Sequence, residues 1–315
     1  MNDFSKILKK PKSKVLILRS EGSLGDAVLT SGYYSSLKQF NKDIEINVFC
    51  FHSAYEYCKI LKEIDHLYRI RIKKIRKHRC FIYFFLLGVF FRLKKIDLII
   101  DDNPVEGLNW KMFRYLSGEG KIFNDPTKYP SVSDRVKGIL AKLGVPYVSP
   151  SVEISPQIKN KINAFLSSNN IDKYIVFNCF GSKSHKSFTP DTFKKMFMQL
   201  RRQDKNIAVI FPYQPFQKNI LKNFYIEDKH LFFYETSSPQ DVFALMGNKE
   251  NILLISPDTS FVHIATLFKR PTIAVLKDID CYKTLNELAT EITASQTNVN
   301  DFDIKLFAEA LKKYL

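Results

Sequence analysis

Short β-rich runs alternate with segments of helical period along the whole chain, and this alternation leaves few folds open. Strand, helix and strand in succession close into a right-handed parallel unit. Repeating the unit gives a parallel sheet covered by helices. In the first half, Val15–Leu18, Ile44–Phe49, His66–Ile70 and Leu98–Asp101 read as strands, and Gly25–Phe40, Tyr55–Lys62, Ile82–Lys95 and Ser131–Leu143 as helices. The second half repeats the scheme. Its strands are expected at Tyr174–Asn178, Ala208–Phe211, Leu231–Tyr234, Ile252–Ile255 and Thr272–Leu276. Its helices are expected at Asp191–Arg202, Gln214–Tyr225, Pro239–Met246, Phe261–Lys269 and Asp301–Tyr314. Between the halves, "GVPYVSPSVEISP" (Gly144 to Pro156) holds three prolines and no helical period, and reads as a linker. At 315 residues the chain exceeds one ordinary core. The expectation is two α/β domains, 1–150 and 151–315, with ligand bound in the cleft they face.

Composition narrows the function classes. With 45% hydrophobic and 25% charged residues, the chain is that of a soluble globular protein. Its five cysteines are scattered without a CxxC pair, and its six histidines lack ligand spacing. That argues against a zinc site or disulfide framework and for a reducing compartment. The lysine-rich N-terminus has no long apolar stretch or small-residue cleavage site, so no signal peptide is expected. The longest apolar run, Cys80 to Phe91, has 12 residues, whereas a membrane-spanning helix needs about 20. It reads as a buried helix or a membrane-surface segment.

The net charge of +16 is unevenly divided. Residues 1–150 hold 27 Lys+Arg against 15 Asp+Glu, and residues 151–315 hold 21 against 17. The first half is therefore expected to meet something anionic. A solvated surface, the alternative, fits the clustering poorly. Seven of the eleven residues in "RIRIKKIRKHR" (Arg69 to Arg79) are Lys or Arg, and none is acidic.

Three strand ends carry candidate chemistry, at the edge where open α/β sheets place ligands. In "SEGSLGDAV", Gly22 and Gly25 precede Asp26 in the first turn of a helix. Asp26 is either a cap stabilised by the helix dipole or a group acting on a ligand that the glycines admit. In "NCFGSKSHKSFTPDTF", a strand runs into Gly181, Ser182, Lys183 and Lys186 before Pro190 starts a helix. In "ISPDTSFVHIATLFKRP", Asp258, Thr259 and Ser260 open a helix with His263 one turn in. Hydroxyls and free amides at a helix start suit a phosphate, with Lys186 as countercharge. Capping, a core histidine and a surface lysine are the simpler readings of each residue taken alone.

The order of these motifs resembles glycosyltransferase family 9, the bacterial heptosyltransferases of lipopolysaccharide core assembly. The likeness covers most of the chain. It rests on Ser23-Leu24-Gly25-Asp26, on "DLIIDD" (Asp97 to Asp102), on Gly181, Lys186 and Pro190, and on Asp258, Thr259, His263 and Ala265 with Ser260 in the family's glycine place. The resemblance implies a GT-B fold of two Rossmann-like domains facing across a cleft, with acceptor on the N-terminal one and nucleotide-sugar donor on the C-terminal one. It implies inverting, metal-independent transfer of heptose from ADP-heptose to the lipopolysaccharide inner core, without a cofactor. By carry-over, Asp26 is the general base. Lys186, with the amides around Thr259 and Ser260, stabilises the departing diphosphate. Gly181, Ser182, Lys186, Asp258, Thr259, Ser260 and His263 bind the donor. Ser23, Gly25, Arg76, Lys77 and Arg79 bind the acceptor, a lipid-anchored anionic oligosaccharide, and the basic run meets it at the membrane surface. A cytoplasmic protein peripheral to the inner membrane follows. The segments Phe211–Asn219 and Ala274–Tyr282 lack the family's loops that help hold the nucleoside, which leaves a different sugar nucleotide as the alternative donor.

Other classes fit less well. A nucleic-acid-binding protein would explain the charge, but the excess lies in one stretch and no RNA- or DNA-binding motif is present. "SEGSLG" is not the GxGxxG of a dinucleotide-dependent dehydrogenase, and no GxxxxGK[ST] loop occurs.

Overall fold

A computed structural model of the chain describes residues 3–18, 24–70, 77–101, 113, 115–116, 122–125, 127–277, 287–295 and 297–315, with the backbone alone for 51–53, 70 and 77–84. Two compact units, Met1–Glu153 and Ile154–Leu315, divide it. Their boundary falls inside the three-proline segment.

In the first unit, α1 (Asp3–Lys9) leads into β1 (Lys14–Leu18), whose last four residues are buried. Only a central strand covered on both faces demands such an unbroken apolar run. There follow α2 (Leu24–Thr30), α3 (Gly32–Phe40), β2 (Glu45–Phe51), α4 (His52–Cys58), β3 (His66–Ile70), α5 (Lys77–Leu93), β4 (Leu98–Asp101), β5 (Ile122–Asn124) and α6 (Val132–Leu143). The five strands pair in parallel in the order β3-β2-β1-β4-β5. Leu16, Leu18, Phe49, Phe91, Ile96, Ile99 and Phe113 pack into one cluster of its core.

The second unit runs through α7 (Pro156–Ser168), β6 (Tyr174–Phe177), a 3-10 turn at Ser184–Lys186, α8 (Pro190–Gln203), β7 (Ala208–Tyr213), a 3-10 helix at Pro215–Phe224, β8 (Leu231–Glu235), α9 (Pro239–Gly247), β9 (Asn251–Pro257), α10 (Ser260–Leu267), β10 (Thr272–Leu276), β11 (Ala289–Thr293) and α11 (Ile304–Lys312). Its sheet is again all parallel, in the order β11-β10-β9-β6-β7-β8. Phe193 meets Phe177, Phe211 and Phe224 with ring centroids 5.0, 5.2 and 5.9 Å away, tying α8 to the sheet. Three helices start on a hydroxyl followed by proline. Ser155, Thr189 and Ser238 accept from the amides of Ile158, Thr192 and Asp241, and the prolines need no N–H partner there.

Several elements depart from the sequence expectation. Gly25–Phe40 is two helices that meet at Ser31, where Gly32 lies against Tyr147: a Cβ there would sit 2.7 Å from the ring. Gln214–Tyr225 forms a 3-10 rather than an α-helix. Only Phe224 in it is buried, so packing does not enforce the α period. The Ser155-Pro156 pair ends the linker by starting α7. Edge strands β5 and β11 are additions, each with a single buried residue.

Both units are α/β with a parallel Rossmann-like sheet. In each, the strand order reverses beside the first strand: between β1 and β4 in one, between β6 and β9 in the other. Crevices at such points receive ligands in open α/β sheets.

Candidate functional site

The turns after β6 and β9 leave adjacent parallel strands at the same edge of the second sheet. Asn178 joins them, its Nδ2 donating to Ser256 Oγ (3.0 Å), to Thr259 Oγ1 (3.1 Å) and to the Phe180 carbonyl (3.3 Å). Its Oδ1 accepts from the Phe180 amide. Thr259 caps α10, accepting from the Phe261 amide, and its hydroxyl also bonds Ser256. The Thr259 hydroxyl is thus engaged in holding the turn. Lys186 crosses from one turn to the other, its Nζ 2.8 Å from Asp258 Oδ2. Asp258 thereby aims the Lys186 ammonium.

Gly181 is dictated by this geometry. An added Cβ would fall 2.2 Å from the Lys186 carbonyl oxygen, a backbone atom that cannot step aside. The Gly181 amide donates to Ser187 Oγ, which donates to the Lys183 carbonyl. From the segment before α11, Asn300 clasps the turn: Nδ2 donates to the Ser187 carbonyl (3.0 Å) and Oδ1 accepts from the Thr189 amide (2.8 Å). The Val299 amide donates to the His185 carbonyl.

The electrostatics of this edge are positive. Loss of hydration, then the charges of Lys277, Lys183 and Lys186, hold the His185 imidazole below its ordinary value, hence neutral at pH 7. Lys277 directly follows β10. Lys183, Lys186 and Lys277, from the turn after β6 and the end of β10, therefore act together on His185, and Lys186 also pairs with Asp258. Ser182 is exposed, and Ser260 and His263 are half-buried in the first turn of α10. Lys277, His185 and Asn178 escaped the sequence reading. Each lacks a spacing motif, and only the strand order makes them neighbours. On the next strand from β6, Tyr213 ends β7 beside Glu235, which ends β8; burial, then the Glu235 carboxylate, raise the Tyr213 phenol above its ordinary value.

In the first unit, Asp26 is half-buried in the first turn of α2, next to the buried Gly25. Asp101 ends β4, in register with Leu18 at the end of β1, and is buried. Both carboxylates belong to the switch point of that sheet. Ser23, Arg76 and Asp102 lie outside the described residues. Lys77 and Arg79 occupy the first turn of α5, described as backbone. Among the described residues no group of three or more His, Cys, Asp or Glu is placed to hold a metal ion, and no helix is long and apolar enough to cross a membrane.

No protein-family model and no curated protein matches the sequence. Solved structures match along nearly the whole chain. A glycosyl transferase family 9 protein from Veillonella parvula superposes with a TM-score of 0.75 at 14% identity, over 96% of this chain and 98% of that one. The ADP-heptose lps heptosyltransferase II of E. coli gives 0.68 at 15% identity over the same shares. The E. coli heptosyltransferase WaaC, solved with ADP-2-deoxy-2-fluoro heptose, gives 0.65 at 17%, again over 96% and 98%. Over almost its full length, the chain has the fold of glycosyltransferase family 9 and of the heptosyltransferases.

Proposed function

We propose that the protein is an inverting glycosyltransferase that takes a sugar from a nucleotide donor held by the second unit. The observation that carries this reading is the Lys186–Asp258 pair spanning the two turns at the β6/β9 switch point, in a chain with this fold. A diphosphate laid there meets Lys186, the start of α10 and the cations Lys183 and Lys277. In the reaction, the acceptor oxygen attacks the anomeric carbon while the bond to the diphosphate breaks. Asp26 takes the acceptor proton. Lys186 and the amides around Thr259 and Ser260 stabilise the charge growing on the leaving diphosphate, with no metal ion required.

ADP-heptose is the donor and the lipopolysaccharide inner core the acceptor in this reading. The acceptor is anionic and lipid-anchored, which suits the basic run from Arg69 to Arg79 and a place at the inner face of the membrane. A different sugar nucleotide is favoured instead by Ser260, whose Cβ stands where the family has glycine.

Thermal unfolding with ADP-heptose, ADP, UDP, GDP, CMP and NAD tests the donor. Ligands that bind the folded state raise the midpoint. A shift with ADP-heptose and ADP that disappears in Lys186→Ala is the expected result. A shift with UDP or GDP alone changes the sugar nucleotide, and no shift with any of them rejects the donor site. Asp26→Asn should stay folded and keep the ADP shift while transfer falls by about 10²–10⁴-fold. Near-normal transfer by that variant removes Asp26 as the base.

A further inference from the structure

Helix α5 carries an apolar stripe that is exposed among the described residues. At about 100° per residue, Leu86, Phe90 and Leu93 fall within an arc of roughly 60°, and they are 59%, 38% and 76% exposed. Phe85, 43% exposed, borders them. The opposite side anchors the helix. Phe91 is buried in the core cluster, and Gly88 lies so close to Leu116 that an added Cβ would be 2.6 Å from Leu116 Cβ. An amphipathic helix covering a core turns polar residues outward. This one turns phenylalanine and leucine outward as well as inward.

The surrounding charge points to the occupant. From His66 to Ile96 the chain has ten Lys or Arg and no Asp or Glu. Seven of the ten precede or open the helix, and Arg92, Lys94 and Lys95 close it, all exposed. Lys94 Nζ stands 5.5 Å from the centre of the Phe90 ring. A second copy of the chain would bring its own Arg92, Lys94 and Lys95 against these, which opposes self-association through the stripe. An anionic bilayer supplies both an apolar layer and negative headgroups. Seventeen residues make a helix about 25 Å long, short of the roughly 30 Å hydrocarbon layer, so α5 fits along a membrane and not through it.

We propose that α5 is an interfacial helix that lays Leu86, Phe90 and Leu93 into the headgroup–acyl boundary of an anionic membrane, with Arg92, Lys94 and Lys95 on the lipid phosphates. The inference deepens the reading of a lipid-anchored acceptor by assigning the membrane-contact residues and making the contact an insertion instead of electrostatic adsorption alone. It uses none of the donor chemistry, and its test contains neither donor nor acceptor, so the two fail separately.

The test is co-sedimentation of the full chain with vesicles of phosphatidylcholine alone or mixed with phosphatidylglycerol. Binding to the mixed vesicles and little to the neutral ones is expected. Leu86→Ser and Leu93→Ser, both at exposed positions, should leave the unfolding midpoint in place. Each should weaken binding about tenfold. Lys94→Ala and Lys95→Ala should each weaken it about fivefold. Three results overturn the inference: no binding to mixed vesicles, unchanged binding after the leucine substitutions, or a dimer in solution that those substitutions dissociate.

Discussion

A single backbone contact decides whether the phosphate-suited turn exists. Since Gly181 faces the Lys186 carbonyl at 2.2 Å from where a Cβ would lie, Gly181→Ala must open the turn that carries Lys186. The expected cost is about 1–3 kcal/mol of stability, the usual penalty for overpacking. It should appear as a lower denaturant midpoint together with loss of the ADP-induced shift. Asp258→Asn leaves the turn intact but no longer fixes Lys186 by charge, so weaker donor binding with an unchanged midpoint is expected. Acid sensitivity belongs to another residue. Burial pushes the Asp125 carboxyl up, but hydrogen bonds from Lys142, Tyr129 and Thr127 outweigh it and hold the group well below the ordinary carboxylate range. Its stabilising effect is therefore complete above the unfolded value near pH 4 and is lost as pH falls toward the lower folded value. Asp125→Asn should flatten the fall of stability below pH 4 in urea titrations, and an unchanged slope would sink this assignment.

At the scale of elements, what could be read ahead was whatever a long apolar pattern or a motif announces. Val15–Leu18 and Thr272–Leu276 are buried on both faces, and their runs show it directly. Strands β5 and β11 lie at sheet edges with one buried residue each, so their sequences carry almost no hydrophobic signal. The contact beside the break at Ser31 was hidden because it joins Gly32 to Tyr147, more than a hundred residues away in sequence. Gly32→Ala tests that contact: with ring atoms 2.7 and 3.4 Å from the new Cβ, a loss of about 1–3 kcal/mol is expected in the first unit. The candidate site divides in the same way. Gly181, Lys186, Asp258 and Thr259 are carried by motifs, whereas Asn178 and Lys277 are brought in by the β6/β9/β10 order. The α5 stripe needed burial values, because an apolar helix reads alike whether its second face is covered or bare.

At the scale of the molecule, each unit has its own parallel sheet and its own core clusters. A fragment comprising residues 154–315 should therefore fold alone with a cooperative thermal transition. It should keep the nucleotide-induced shift if the donor is held by that unit alone. A fragment that is folded yet unresponsive would mean that the donor site needs the first unit. The clasp on the β6 turn also has a consequence in time. Thr189 and Asn300 stand 111 residues apart in the chain, and ribosomes add about 5–20 residues per second. On the ribosome the turn is thus made roughly ten seconds before the residue that locks it, and a newborn chain passes through that interval with the Lys186 turn still unfastened.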